Sequence, residues 1–268
     1  VFLVAKNLEE ALRCFIASGK SGYIWIDAIC INQLDNEERT QQVQSMAKIY
    51  ESAISVLVWL GMGDEDMKSV FYRLRIAEDH QRALMHQLEE TMTSRMALSA
   101  YDYEEGLPVL RKPTNELPGL SDRDLPSIDR IFRHPWWSRI WVIQEATVAK
   151  ELMVWCSTES ISWSTLSEIY SGPQLQENDA KVSGRKNLEP MRKTNMLRLG
   201  WRTSIGAQQK WTISSYSPES LAEEGYAFLT TLASAFRGAR ATDNRDKIYA
   251  LLGLAGGAFD CARLYGLL

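Results

Sequence analysis

The sequence predicts an α/β protein, a parallel sheet flanked by helices, and three observations carry that prediction. Two nearly continuous apolar runs, YIWIDAICI at Tyr23–Ile31 and ISVLVWL at Ile54–Leu60, suit strands covered on both faces of a parallel sheet. Each run follows a stretch with helical periodicity, and parallel strands need crossovers that place helices on the sheet faces. At 268 residues with 45% hydrophobic content, the chain can bury a core as one large domain carrying insertions.

The elements follow in order. Asn7–Phe15 sets Leu8, Ala11, Leu12 and Phe15 at helical spacing, with Asn7 as N-cap. After the turn at Gly19–Gly22 comes the first apolar run, which holds one carboxylate, Asp27, and ends at Asn32-Gln33. Asp35–Glu38 reads as a capping box, Asp35 capping and Glu38 reaching back; the helix it opens puts Val43, Met46, Tyr50 and Ala53 on one face. Gly61 closes the second strand.

Between Gly63 and about Leu125, charged and partly helical sequence (Glu65–Ala100) leads into a loop with Pro108, Pro113, Pro118 and Pro126. This reads as an insertion over the sheet edge. Ser127–Phe132 and His134–Ala149 are predicted helical, with Pro135 at a first helical position, and Glu151–Cys156 is predicted as a short strand. Residues 157–217 are polar and basic with weak periodicity and read as a second insertion. Leu221, Phe228, Leu229, Leu232 and Phe236 then stripe a helix over Ser220–Arg237. Asp243 caps a last helix through Ile248, Leu251 and Leu252, with Asp246 in its first turn.

Composition narrows the function. A net charge of -4 gives no overall positive field to draw in nucleic acid or anionic lipid. The apolar runs are too short to span a bilayer, and no basic segment with an apolar signal core opens the chain, so a cytoplasmic protein is expected. Cys14, Cys30, Cys156 and Cys261 are scattered without metal-ligand spacing, so buried thiols are expected rather than a zinc site or disulfides. His80, His86 and His134 have no triad partner at a diagnostic spacing. Neither a glycine-rich phosphate loop nor a GxSxG elbow is present.

Two carboxylates stand out. Trp137, Trp141, Glu145 and Val148, at i, i+4, i+8 and i+11, share one helical face. Facing a cleft, Glu145 would have a raised pKa and the indoles would hold a planar ring; facing the core, Glu145 would pair with a basic residue. Asp27 inside an apolar strand needs a partner, either Arg39 or Arg245 in a salt bridge or a ligand site at the carboxyl ends of the strands. Asn32 and Gln33 donate to that ligand or cap the next helix. Asp243, Arg245 and Asp246 form a compact charged cluster that suits caps and surface ion pairs.

Three segments together resemble the heterokaryon incompatibility (HET) domain family: Tyr23–Leu60 (YIWIDAICINQLDNEERTQQVQSMAKIYESAISVLVWL), Pro135–Ala149 (PWWSRIWVIQEATVA) and Ala241–Leu254 (ATDNRDKIYALLGL). The WIDAICINQ run, the Glu38-Arg39 and Gln42-Val43 pairs and the IYESAISVLVWLG ending carry the likeness most specifically. It implies one HET domain over 1–268, with matching blocks at 7–61, 127–156 and 241–255 and insertions at about 63–125 and 157–217. The family opens with a strand bearing an aromatic-Ala-Leu-Ser-Tyr-x-Trp-Gly type motif; this chain starts after that point, so the N-terminal strand is expected to be missing.

HET domains are in turn similar to Toll/interleukin-receptor (TIR) domains, flavodoxin-like folds whose enzymatic members cleave NAD at the nicotinamide–ribose bond. By that resemblance Trp141 to Glu145 has the W-x-x-x-E spacing, Glu145 is the catalytic carboxylate, and Asp27, Asn32, Arg139 and Trp141 shape the pocket. NAD is then substrate rather than cofactor. Self-association and a triggering incompatibility partner protein are implied, with programmed cell death as the outcome. The alternatives are a non-enzymatic self-assembling interaction module and an inactive, degenerate fragment.

Overall fold

A computed structural model of the protein describes residues 4–98, 121–171, 189–208 and 218–255. The α/β class holds in its coarse form: helices predominate around a small three-stranded sheet. Strand β1 (Val56–Trp59) runs parallel to β2 (Leu152–Cys156), and β3 (Glu159–Ser162) returns antiparallel along the other side of β2. The long helical connection between β1 and β2 permits parallel pairing. A tight turn at Ser157, whose φ is 54°, instead makes β2 and β3 a hairpin that weak periodicity after residue 157 did not announce.

Alternation along β1 sorts its side chains. Val56 and Val58 enter the main core, while Leu57 and Trp59 face helix α1 (Lys6–Ala17) with Ala11, Phe15 and Trp155. Phe15 meets Trp155 edge-on at 5.0 Å and Trp59 at 6.0 Å. Asn7 is not the cap of α1. That place falls to Ala5 without a side-chain bond, and Asn7 Oδ1 accepts from the Trp59 indole at 3.1 Å, tying the helix to the sheet.

The expected strand at Tyr23–Ile31 is not a strand. The chain runs extended to Ile26 and then winds into a four-residue helix α2 (Asp27–Cys30), with Tyr23, Ile24 and Ile29 exposed. Asp27 supplies the reason. Its carboxylate accepts from Ala28 N–H at 2.7 Å, and Cys30 N–H bonds back to Ile26 C=O at 2.7 Å, so the backbone closes on itself and the charge stays in water. Cys30, expected buried, is exposed with it; Cys14 and Cys156 are buried as free thiols, and Cys261 lies outside the described residues.

Helix α3 (Asn36–Ser52) begins as its sequence predicts, with Asp35 Oδ1 accepting from Glu37 and Glu38 N–H. Glu38 reaches back past Asp35 to Asn32 N–H at 3.0 Å. Helix α4 (Glu65–Leu98) is helical as expected and packs on the edge strand β3, but its first half is core. Met67, Val70, Phe71, Leu74 and Ala77 form a buried stripe at helical spacing. Arg75 pairs with Glu159 at 2.6 Å and Glu78 accepts from Ser162 N–H at 3.0 Å, which fixes α4 to β3. His80 and His86 are exposed on the same helix, and the loop prolines Pro108, Pro113 and Pro118 lie outside the described residues.

His134–Ala149 does not form one helix. After α5 (Leu125–Arg133), Pro135–Ser138 makes a 3-10 turn, Arg139 is extended, and α6 spans Ile140–Val148. Backbone pairing across Arg139 and Arg240 enforces the break: Ile140 N–H donates to Arg240 C=O at 2.9 Å and Arg240 N–H to Ser138 C=O at 2.5 Å. Trp137 therefore leaves the face shared by Trp141 and Glu145. It is buried against Trp136, Trp163 and Phe132, and its indole donates to Ile131 C=O at 2.7 Å. Val148 packs in the core formed by α6 and the C-terminal helices rather than beside the two site residues.

After α7 (Trp163–Ser171) come α8 (Glu189–Gln208), α9 (Pro218–Ala235) and α10 (Asp246–Ala255); α3, α8 and α10 pack directly on α6, and α9 packs on α10. Leu229, Leu232, Phe236, Leu251 and Leu254 bury Ile140, Ile143 and Val148. Gln144 is 2% exposed, and with its amide turned to satisfy both ends it accepts from Ala47 N–H at 2.7 Å and donates to Ala250 C=O at 3.0 Å. It thereby joins α3, α6 and α10. At the other end of α6, buried Arg198 donates to Ala146 and Ala149 C=O at 2.6 Å each and to Lys150 C=O at 3.2 Å.

Gly253 lets α10 approach this junction, since a Cβ there would overlap the Gln144 amide group and come within 2.8 Å of Ala47 Cβ. Gly253→Ala is expected to lower stability by about 1–3 kcal/mol despite alanine's better helix propensity. Gly238→Ala, whose Cβ meets open space, is expected to leave stability unchanged; urea unfolding midpoints of the two variants check the contrast.

Candidate functional site

A cavity of about 150 Å³ opens beside α6. Asp27, Ile31 and Gln33 form one wall, from α2 and the loop after it; Arg39, Val43 and Met46 of α3 form the second. Arg139, Trp141 and Glu145 form the third, and Asp246 at the start of α10 completes the lining. The cavity is thus walled by helices and their ends, and no residue of the sheet lines it.

Seven of the residues singled out in the sequence meet here: Asp27, Gln33, Arg39, Arg139, Trp141, Glu145 and Asp246. Trp141 and Glu145 project together because they are four residues apart on α6. Arg139 reaches the cavity from the extended residue that precedes the helix. Asn32, Asp243 and Arg245 stay outside. Asn32 shapes the turn, its side chain accepting from Leu34 N–H at 3.2 Å, and Gln33 takes its place in the wall while donating to Asp27 C=O at 3.0 Å. Arg245 pairs with Asp243 at 2.6 Å on the surface, which holds the Asp243 carboxyl down at about 2. Neither expected bridge to Asp27 forms: Arg245 is committed to Asp243, and Arg39 Nη1 donates to Asn36 Oδ1 at 3.4 Å.

Protein surrounds the Glu145 carboxyl, and the residue keeps its water contact through the cavity. Burial raises its pKa to about 7, and the negative charge of Asp27 adds to the rise; the positive charge of Arg139 and the Tyr50 hydroxyl oppose it. Tyr50, next along the α3 stripe after Val43 and Met46, is itself pushed far above its ordinary value by burial and then by the charges of Glu145 and Asp27. The sequence placed Tyr50 on the apolar face of α3, where a tyrosine reads as core; nothing local marks its hydroxyl as facing a carboxylate 95 residues away. Arg198 was missed for a different reason, since the weakly periodic segment that carries it has no motif.

A carboxyl that titrates near neutrality can exchange a proton or balance a developing cation. Trp141 offers an aromatic surface, and Arg39 and Arg139 offer donors to an anion. The volume suits one ring-sized group, well below the roughly 300–1,000 Å³ of sites that engulf larger ligands. Among the described residues no cluster of three His, Cys, Asp or Glu side chains is placed to hold a metal ion, and no helix is long and apolar enough to cross a membrane.

These features define an α/β domain with a small helix-walled cavity that sets carboxylates and guanidinium groups around one indole. The chain belongs to the HET family, described as heterokaryon incompatibility protein, whose model matches residues 1–145. It is also 30% identical over 243 residues to heterokaryon incompatibility protein 6, OR allele, of Neurospora crassa, an alignment covering 88% of this chain and 35% of that protein. The chain therefore spans about a third of that relative's length. No solved structure matches it.

The raised Glu145 pKa has a consequence for stability. Because the folded state keeps the proton between about 4.5 and 7 while the unfolded state releases it, stability falls as pH rises through that window. The fall attributable to Glu145 amounts to at most about 3 kcal/mol. Glu145→Gln is expected to flatten it. Urea unfolding of both proteins across the window checks this by difference, with Glu168, whose pKa is also raised by burial, contributing equally to each.

Proposed function

We propose that this chain is the effector domain of a heterokaryon incompatibility protein and that its cavity hydrolyses NAD at the nicotinamide–ribose bond. One observation carries the reading: Glu145, with its pKa near 7, shares a small cavity with Trp141 and Arg139. The nicotinamide ring of NAD is planar and cationic, so the face of Trp141 and the nearby carboxylates suit it, and the cavity has room for that ring alone. As the bond to nicotinamide breaks, positive charge develops on the ribose, and ionised Glu145 stabilises it while water attacks to give ADP-ribose, nicotinamide and a proton. The pyrophosphate lies outside the ring pocket, within the field of Arg139 and Arg39.

The parallel β1–β2 pair with helices on both faces supports kinship with TIR-like, flavodoxin-like sheets. In this reading the protein works in the cytoplasm, an incompatibility partner triggers it, and self-association precedes NAD loss and cell death. The exposed apolar residues Tyr23, Ile24, Ile29 and Leu34, gathered around one cavity wall, favour a second reading in which the domain acts only by assembling and recruiting other proteins.

Glu145→Gln separates the two. Under the enzymatic reading, purified protein consumes NAD and the variant loses about 10²–10⁴-fold in rate while remaining folded. Trp141→Ala is expected to raise KM for NAD more than it lowers kcat. Cells expressing Glu145→Gln should survive; death undiminished by that substitution, with NAD levels intact, would establish the assembly reading instead.

A further inference from the structure

Gln33 is set apart from its neighbours by how completely its side chain is oriented. The turn that carries it is closed three times: Asp35 N–H donates to Asn32 C=O at 3.1 Å, Leu34 N–H to Asn32 Oδ1 at 3.2 Å, and Asn32 N–H to Glu38 Oε1 at 3.0 Å. From that turn the Gln33 side chain enters the cavity wall, and its Nε2 donates to Asp27 C=O at 3.0 Å. A carbonyl accepts only from a donor, so this bond decides which end of the amide is nitrogen. The other end is Oε1, an acceptor with no hydrogen-bond partner among the described residues. It is the one neutral side-chain oxygen among the residues that line the cavity, since Asp27, Glu145 and Asp246 all carry carboxyls.

We propose that Gln33 determines which ring the cavity accepts: its Oε1 receives the carboxamide N–H of nicotinamide, so the site selects a planar cationic ring that bears a primary amide. The assignment rests on the reading of the cavity as the ring pocket of an NAD hydrolase. A ring held in about 150 Å³ lies close to all three walls, so a substituent on a ring against Trp141 comes within range of Gln33. The competing acceptors are committed elsewhere. The Asp27 carboxylate turns back on Ala28 N–H at 2.7 Å, Asp246 lies in the first turn of α10, where its charge complements the helix dipole, and Glu145 faces the ribose in the proposed reaction. A neutral oxygen also tells an amide from its isosteres. A ring carboxylate offers only acceptors and would meet Oε1 unpaired, and a methyl ketone fills the same space without a donor. Because Nε2 is engaged by Asp27 C=O, Gln33 cannot turn over to offer either analogue an N–H without losing that bond.

The test is a ratio of affinities. Ligand-free protein is titrated by NMR with 1-methylnicotinamide and with 1-methyl-3-acetylpyridinium, cationic rings that differ only in an amide nitrogen against a methyl group. Wild type is expected to favour the amide about 5–10-fold, the worth of one net hydrogen bond. Gln33→Met removes both ends of the side-chain amide, whereas Gln33→Lys keeps a donor for Asp27 C=O and removes only the acceptor; both are expected to abolish the preference. The added lysine charge weakens both rings alike and leaves the ratio untouched. A preference that persists in Gln33→Lys, or wild-type protein that binds the two rings equally or binds neither, overturns the assignment. In turnover, kcat/KM for NAD against its 3-acetylpyridine analogue is expected to show the same dependence on Gln33. If the amide preference follows Gln33 but NAD stays intact, the proposed reaction falls while the carboxamide contact stands. If NAD is consumed with no preference that depends on Gln33, the reaction stands and the assignment falls.

Discussion

Helix α6 runs through the interior with its last carbonyls turned away from water, and the Arg198 guanidinium is what meets them. Its bonds to Ala146, Ala149 and Lys150 satisfy groups that any buried helix end leaves open. Burial brings the Arg198 pKa down to about 10, with the charge of Arg202 adding to the effect, yet the guanidinium remains charged at neutral pH. A cation at the C-terminal end of a helix also complements its dipole. With that end fixed by α8 and the middle fixed by Gln144 to α3 and α10, the side of α6 that carries Trp141 and Glu145 has little freedom to rotate. The geometry of the cavity depends on this constraint more than on any contact inside the cavity.

How much of this was legible in the sequence varied with the physical origin of each feature. Strands β1 and β2 could be read because a short, continuous apolar run bounded by turn residues has few other solutions. The same pattern misled at Tyr23–Ile31. There a carboxylate in the run made a buried strand costly, and a local bond to the backbone offered the chain a cheaper course. The break at Arg139 was invisible because it depends on pairing with Arg240, a contact between distant positions. Gln144 and Arg198 went unnoticed for a related reason: a buried polar side chain shows its meaning only when its partners are known.

The site was legible in part. Four-residue spacing sufficed to put Trp141 and Glu145 together, because helix geometry is local. The meeting of Asp27, Arg39, Arg139 and Asp246 around them belongs to the tertiary fold: Asp27 drew attention as a charge in an apolar run, Arg39 as its candidate partner and Asp246 as one of a charged cluster, while Arg139 came in only through the TIR resemblance. Asn32 and Gln33 show the limit of such reasoning. They are neighbours of similar chemistry, and the turn that decides which one faces the cavity is closed by Glu38 on the following helix.

One wall of the cavity differs in kind from the others. Helix α2 is a single turn whose apolar side chains largely face solvent, whereas the opposing wall belongs to a helix locked by buried bonds. Little packing opposes its local unfolding, so its amides belong to the class that exchanges hydrogen with solvent through small openings rather than through loss of the whole fold. Loosening of that one turn would open the cavity on the Asp27 side, while the Glu145 side, on a helix held by buried bonds, would keep its register.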